Sequence, residues 1–81
     1  MVEITFTEEF KQIFSKLANS MKERILKLIK KIKINPEVGK PMRYSRKGTR
    51  ELYLKPFRLS YIYDFKENHI YLLDLYHKKE Q

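Results

Sequence analysis

Four side chains in the last third of the 81-residue sequence have the chemistry to bind a phosphate group: Arg58, His77, Lys78 and Lys79. Arg58 lies in a strand-like segment from Phe57 to Tyr63, and the other three follow a second such segment from Ile70 to Tyr76. Adjacent antiparallel strands would bring them close together, and arginine binds phosphate oxygens through paired hydrogen bonds. The pattern predicts a phosphate site, and a solvated chain end is the simpler alternative for the last three residues.

The alternation of side chains along a strand limits how these residues can meet. Strict alternation places His77 on the face of Tyr71, Leu73 and Leu75 and puts Lys78 on the opposite face. At most one or two of the C-terminal residues could therefore point into one site. Because a buried unpaired arginine is costly, we expect Arg58 to reach solvent, to pair with Asp74 or to await an anion.

The formal charge of +8 is concentrated in the middle of the chain. Between Gly39 and Arg58, seven basic residues accompany the single acidic residue Glu51, and tyrosines lie among them. Such a block favours a polyanion, and aromatic rings beside cations suit unpaired bases better than lipid. We predict an RNA-binding surface, with an ordinary solvated surface as the alternative. The candidate RNA contacts are Lys40, Arg43, Arg46, Lys47, Arg50, Lys55 and Lys79.

Composition excludes several other classes of site. The chain has no cysteine, and His69 and His77 are isolated, so we expect no disulfide, no metal centre and no cofactor. No apolar run approaches the roughly 20 residues that span a bilayer, and the first residues lack the pattern of a signal peptide. We therefore expect a cytoplasmic protein with one domain, residues 1–81.

The N-terminal half predicts a strand followed by two helices. Val2 to Phe6 alternates apolar and polar residues, and Thr7 is a candidate N-cap for a first amphipathic helix. Ser20-Met21-Lys22-Glu23 matches a capping box that would begin a second helix, which ends at Asn35-Pro36. Lysines cover the polar face of the second helix. That is typical of a solvated face, with a membrane or a partner protein as the alternative.

Three more strands follow, giving the order β-α-α-β-β-β. Two helices cannot cover their apolar stripes with each other and leave the apolar faces of four strands wet. We therefore predict an α+β fold in which an antiparallel four-stranded sheet has two N-terminal helices packed on one face. The other face of the sheet is left open for a ligand.

Four motifs resemble those of the RelE/ParE toxin superfamily, specifically its RelE-like mRNA interferases. They are Asn35-Pro36 at the end of a helix, Gly39-Lys40-Pro41, Phe57-Arg58-Leu59-Ser60-Tyr61 and Leu75-Tyr76-His77-Lys78. The third stands where the family has a Tyr/His-Arg-Leu/Val-x-Tyr strand, and the fourth where it often ends in Ile-Gly-His-Arg. The resemblance covers nearly the whole chain.

The resemblance implies a toxin that enters the ribosomal A site and cuts mRNA by attack of the ribose 2′-OH, without metal. It implies that Arg58 stabilises the phosphate, that Lys78 replaces a second arginine, and that His77 is a general acid or base. Two family lysines are replaced by Glu51 and Tyr53, and the chain stops short of a C-terminal tyrosine found in many relatives. Glu51 is a candidate base, or else a charge partner for a neighbouring Arg50 or Lys55.

The resemblance also implies a cognate antitoxin, which we expect to be acidic and partly helical, with a heterotetramer as one candidate assembly. Two other functions stay open. A ParE-like toxin would inhibit DNA gyrase and need no catalytic residues, and the replaced lysines favour that alternative. A non-catalytic module that binds nucleic acid or the ribosome would need only the basic charge.

Overall fold

The computed structural model describes residues 2–43 and 47–77. They form two helices and five strands, in an order that begins with a strand and the two helices and ends with a three-stranded meander. The elements are β1 (Glu3–Phe6), α1 (Glu8–Ser15), α2 (Asn19–Ile34), β2 (Lys40–Pro41), β3 (Arg50–Leu54), β4 (Phe57–Asp64) and β5 (His69–His77).

The strands make one sheet in the order β1-β5-β4-β3-β2. The predicted α+β class and the order of the main elements are confirmed, whereas the predicted four-stranded antiparallel sheet is wrong in two respects. β1 runs parallel to β5, and the connection between these two strands includes both helices and the other three strands. β2 is a fifth strand, and its two residues are too short to show any alternation in the sequence.

Both helices pack on one face of the sheet, as predicted. The hydrophobic core joins Phe10 of α1 and three isoleucines of α2 to side chains from β4 and β5. The fully or nearly fully buried members are Phe10, Ile25, Ile29, Ile32, Leu59, Tyr61, Ile70, Leu72 and Leu75. Burial of these apolar side chains against a single sheet face leaves the opposite face open.

The starts of the two helices differ in how they are capped. Thr7 is the predicted N-cap of α1, since its Oγ1 accepts a hydrogen bond of 3.3 Å from the Phe10 N–H. The same hydroxyl lies 2.8 Å from the Leu72 carbonyl oxygen, so it also ties the helix to β5. The predicted capping box of α2 is wrong. The helix begins at Asn19 after Ala18, which places Ser20 inside the first turn, where its side chain cannot cap.

A β-bulge in β5 changes the faces that strict alternation predicts. Ser60 pairs with Asp74 while the next residue, Tyr61, pairs with Leu72, so Leu73 is an extra residue in β5. Leu72 and Leu75 therefore both face the core although three positions separate them. His77 lies two residues beyond Leu75 on the core-side face, as predicted, whereas the predicted face shared with Tyr71 is wrong because of the bulge.

Candidate anion-binding site

A cleft of about 660 Å³ opens beside the middle of the sheet, where β2 and the following residues approach β4. It is lined by Lys40, Pro41, Met42, Arg43 and Arg58. Three of these five side chains are cationic, and no acidic side chain from residues 2–43 and 47–77 belongs to the lining. The cleft therefore has the charge to attract an anion such as a phosphate group.

Arg58 reaches this cleft from β4, on the open face of the sheet. Strand pairing sets it between Tyr53 of β3 and Tyr76 of β5. The guanidinium lies 5.7 Å from the centre of the Tyr53 ring, within the range of a cation–π contact, and the Tyr53 side chain is itself exposed. A basic group and an exposed aromatic ring thus stand side by side, which suits a nucleotide.

The charge partner of Arg58 is Glu51. Glu51 lies on β3, two residues before Tyr53 and on the same face of the sheet. Glu51 Oε1 lies 3.6 Å from Arg58 Nη1, and the Glu51 residue is only 3% exposed. The other carboxylate oxygen accepts a 2.5 Å hydrogen bond from the Tyr76 hydroxyl. A buried carboxylate needs such partners, because without them its desolvation would be costly.

These contacts correct two expectations about charge pairing. Arg58 does not pair with Asp74, whose carboxylate accepts a 2.8 Å hydrogen bond from the Leu75 N–H. Glu51 forms an ion pair with Arg58 on the neighbouring strand, whereas Arg50 pairs with Glu37. The Nε–H of Arg58 is buried and has no hydrogen-bond partner within residues 2–43 and 47–77. Arg58 therefore retains a donor for a further acceptor.

The loop that carries the cleft's other cations is fixed by Tyr61. Its hydroxyl donates to the Pro36 carbonyl and accepts from the Gly39 N–H, both at 2.8 Å. Burial raises the pKa of Tyr61 above its ordinary value of 10.0, while the Gly39 hydrogen bond and the charge of Arg50 act in the opposite direction. The phenol is therefore held in its neutral form, able to donate and accept at the same time.

Arg50 fixes the same loop from β3. Its Nη1 donates to the carbonyl oxygens of Glu37 at 3.0 Å and Gly39 at 2.8 Å, and its Nη2 lies 3.8 Å from the Glu37 carboxylate. The guanidinium that was predicted to contact RNA is thus engaged with the chain's own loop. Because Lys40 follows Gly39 directly, these hydrogen bonds also help to position Lys40, the first cation of the cleft lining.

The loop approaches the sheet so closely that Gly39 has no space for a side chain. A Cβ atom at this position would lie 2.7 Å from both Cε1 and the hydroxyl oxygen of Tyr61. Gly39 is therefore required by close approach to the phenol ring and not by an unusual backbone angle.

His77 does not share a face with Arg58. It pairs with Phe57, and the two rings meet edge to face with centroids 5.9 Å apart, on the side of the sheet that carries the helices. Arg58 and Tyr76 form the next pair along the same two strands, on the open side. The structure therefore does not bring together the arginine and the histidine that the sequence placed in one phosphate site.

The remaining predicted residues divide into three groups. Lys40 and Arg43 line the cleft with Arg58, as an RNA contact would require. Lys47 and Lys55 are exposed in turns outside the cleft lining. Arg46, Lys78 and Lys79 lie outside the described residues.

Two tyrosines of the site escaped the sequence-based prediction. Tyr76 contacts Glu51, and Tyr61 holds the loop, but both resemble ordinary half-buried strand residues in the sequence. Tyr76 could be matched with Arg58 only through the register of β4 and β5, which the bulge at Leu73 shifts. In the sequence, the block of basic residues from Gly39-Lys40-Pro41 to Arg58 was the available signal for the cleft.

Among residues 2–43 and 47–77, no cluster of histidine and acidic side chains could hold a metal ion. In the same two ranges, no helix is both long enough and apolar enough to cross a bilayer.

Comparison with known proteins places this geometry in a family. The family model described as "ParE toxin of type II toxin-antitoxin system, parDE" matches residues 4–81. The chain therefore belongs to the ParE toxin family, within the RelE/ParE superfamily, and is a toxin of a type II toxin–antitoxin system. The sequence shows no significant similarity to curated proteins.

Solved structures share the fold at low sequence identity. The toxin–antitoxin complex RelBE2 from Mycobacterium tuberculosis matches with a TM-score of 0.85 and 23% identity, over 95% of this chain and 98% of that one. The isolated E. coli RelE toxin matches with a TM-score of 0.81 and 14% identity, over 95% and 84% of the two chains. A conserved protein from Helicobacter pylori, HP0894, matches with a TM-score of 0.64 and 24% identity, over 98% and 97%.

Proposed function

We propose that this toxin acts on mRNA in the ribosome, with the cleft beside Arg58 receiving the phosphate at the cut. The observation that carries the proposal is the convergence of Lys40, Arg43 and Arg58 on one cleft, next to the exposed ring of Tyr53. Cations and an aromatic platform side by side are the combination that recognises single-stranded RNA. The likeness of the fold to RelE supports the same function.

The proposed reaction is an intramolecular transfer at phosphorus. The ribose 2′-oxygen forms a bond to the adjacent phosphorus and loses its proton, while the bond from phosphorus to the 5′-oxygen breaks and that oxygen gains a proton. The products are a 2′,3′-cyclic phosphate and a 5′-hydroxyl. Negative charge grows on the phosphate oxygens in the transition state, so a fixed guanidinium such as that of Arg58 lowers the barrier.

Candidates for proton transfer differ in how well they are placed. Glu51 shares a sheet face with Arg58 and lies 3.6 Å from its guanidinium, so an anion that draws Arg58 away would leave its carboxylate beside the reacting group. His77 lies beside Phe57 on the other face. We therefore propose Glu51 as the proton acceptor ahead of His77, with Lys78 as a supporting charge.

Purified toxin added to translating ribosomes tests this proposal. We expect cleavage of the message in the A site, and we expect Arg58→Ala to slow it by at least about 100-fold, because transition-state charge loses its principal partner. Arg24→Ala is the matched control, since it removes the same side chain from α2, outside the cleft. Glu51→Gln should slow cleavage more than His77→Ala.

An intact message in every reaction would contradict the proposal, as would equal activity of Arg58→Ala and Arg24→Ala. The unfolding temperature of each variant must be measured first, because Glu51 is buried and its replacement affects stability.

A second function, inhibition of DNA gyrase, is favoured by one specific observation. His77 and Arg58 lie on different faces of the sheet, so the described residues do not assemble the full set of groups that RNA cleavage implies. A toxin that acts by binding alone would not need them. Loss of supercoiling activity on addition of the toxin, with the message left intact, would favour this alternative.

The proposed partner is an antitoxin, because similar folds occur in toxin–antitoxin complexes from M. tuberculosis and E. coli. The charge of +8 favours an acidic partner.

A further inference from the structure

Arg58 lies between two tyrosines on the open face of the sheet, and each tyrosine makes a different contact. Strand pairing sets Tyr53 of β3 on one side of Arg58 and Tyr76 of β5 on the other. The guanidinium lies 5.7 Å from the centre of the Tyr53 ring. The Tyr76 hydroxyl instead donates a hydrogen bond to Glu51 on β3. Because β4 lies between β5 and β3, the Tyr76 side chain spans the strand that carries Arg58.

The Tyr76 phenol holds the Glu51 carboxylate more closely than the Arg58 guanidinium does. The hydroxyl lies 2.5 Å from Glu51 Oε2, whereas Arg58 Nη1 lies 3.6 Å from Glu51 Oε1. Hydrogen bonds from arginine to a carboxylate are normally about 2.7–2.9 Å long, so the contact between Arg58 and Glu51 is an ion pair without a hydrogen bond. The position of the buried carboxylate is therefore set more by Tyr76 than by Arg58.

This arrangement leaves hydrogen-bond donors of Arg58 available to a ligand. The Arg58 Nε–H is buried and has no hydrogen-bond partner within residues 2–43 and 47–77, and the same side chain lines the cationic cleft. A movement of the Glu51 carboxylate toward Arg58 by less than about 1 Å would allow two parallel hydrogen bonds between them. Such a pair would take up donors that an anion in the cleft needs. The hydrogen bond from Tyr76 opposes this movement.

We propose that Tyr76 is a positioning residue of the anion site, which holds Glu51 short of hydrogen-bonding distance to Arg58. Tyr76 is not among the described residues that line the cleft, so its effect on a bound anion passes through Glu51. The inference rests on the proposed function only in taking an RNA phosphate as the natural anion. The same contacts would act on any phosphate group that binds Arg58.

Inorganic pyrophosphate, titrated into the millimolar range, serves as the probe for NMR of the isotope-labelled full chain. The Arg58 Nε–H resonance reports directly on the guanidinium. Tyr76→Phe removes only the hydroxyl, and we expect it to weaken pyrophosphate binding at least about fivefold, because Glu51 then pairs more closely with Arg58. Tyr71→Phe is the matched control, since it makes the same chemical change on the same strand, and it should leave the affinity unchanged.

Glu51→Gln tests whether Glu51 is the intermediary. A neutral amide pairs weakly with a guanidinium, so this variant should bind pyrophosphate at least about threefold more tightly than wild type. In the Glu51→Gln background, Tyr76→Phe should change the affinity by less than about twofold, because no carboxylate remains to be held back. A merely structural role of Tyr76 would give the same loss of affinity in both backgrounds.

The proposal is overturned by an unchanged affinity of the Tyr76→Phe protein, by an equal loss in the two Glu51 backgrounds, or by weaker binding of the Glu51→Gln protein. Because the titration contains neither ribosomes nor RNA, an intact message in the cleavage assay would not affect its result. The two proposals also predict opposite effects of one variant, since Glu51→Gln should slow cleavage and strengthen anion binding.

Discussion

At the scale of single residues, Tyr61 connects the hydrophobic core to the loop that leads into the cleft. Its ring is fully buried, and its hydroxyl makes two hydrogen bonds to the loop between α2 and β2. Apart from its place at the end of the Phe57–Tyr61 motif, no feature of the sequence distinguishes it from the other five tyrosines. Its role follows from a distance of 2.8 Å to backbone atoms more than 20 positions away, which pattern alone does not contain.

Replacement of Tyr61 by phenylalanine should lower the free energy of unfolding by about 1–3 kcal/mol, because the Pro36 carbonyl and the Gly39 N–H lose a buried partner. Since burial raises the pKa of Tyr61 in the folded state, its contribution is fully present below pH 10.0 and is lost as the pH rises through the folded-state pKa. Urea unfolding of both proteins across this pH range measures the difference between them.

That difference should be constant below about pH 9 and shrink above pH 10. Tyr71→Phe is the control, because the Tyr71 hydroxyl makes no hydrogen bond within the described residues. A Tyr61→Phe protein that follows the same pH profile as wild type would show that the phenol does not titrate as proposed.

At the scale of elements, the sequence predicts the helices and long strands well because each has a strong local period. Thr7 begins α1 and Asn35 ends α2 as expected. Three features escaped prediction, namely the two-residue β2, the parallel pairing of β1 and the bulge at Leu73. Each depends on contacts between distant segments. The same limit applies to the candidate site. The sequence identified Arg58, but it indicated Arg50 or Lys55, and not Arg58, as the charge partner of Glu51.

The loop before β2 gives the prediction at this scale. Gly39→Ala should lower the free energy of unfolding by about 1–3 kcal/mol, because the new methyl group would lie 2.7 Å from the Tyr61 ring. Displacement of the loop should also weaken RNA binding, although replacing glycine with alanine does not alter the charge of the protein. Thermal unfolding and a fluorescence binding assay with an oligoribonucleotide measure the two effects.

Glu37→Ala is the companion variant in the same loop. Its side chain is exposed, with only a 3.8 Å ion pair to Arg50, so stability should change by less than about 0.5 kcal/mol. Equal stability of the two variants would show that the close contact at Gly39 is relieved without cost.

At the scale of the whole molecule, separation of charge and apolar surface is the main property of the fold. The open face presents the cationic cleft, and the helix side presents an apolar groove with a cationic rim. A single sheet therefore offers two chemically different surfaces. One is lined mainly by cations, and the other includes two leucines.

RNA binding should consequently depend strongly on salt. If Lys40, Arg43 and Arg58 each neutralise one phosphate, the logarithm of the affinity should fall with the logarithm of salt concentration with a slope near −2, or about 20-fold between 0.05 and 0.2 M. Fluorescence titrations with a single-stranded oligoribonucleotide give the slope. Lys40→Ala should reduce it by about 0.7, whereas an unchanged slope would place the RNA elsewhere.

The buried carboxylate of Glu51 has a consequence for selectivity. It already occupies one side of the Arg58 guanidinium, so an anion that binds on that side must displace a competitor that is covalently attached to the site. A tethered competitor acts at an effective concentration on the order of millimolar, so dilute monophosphates are not expected to displace it from Arg58. A polynucleotide could displace Glu51, because neighbouring phosphates bound to Lys40 and Arg43 would hold the chain in place while Arg58 exchanges one partner for another. If the cleft receives RNA as proposed, Glu51 would favour a polymer over small phosphorylated metabolites.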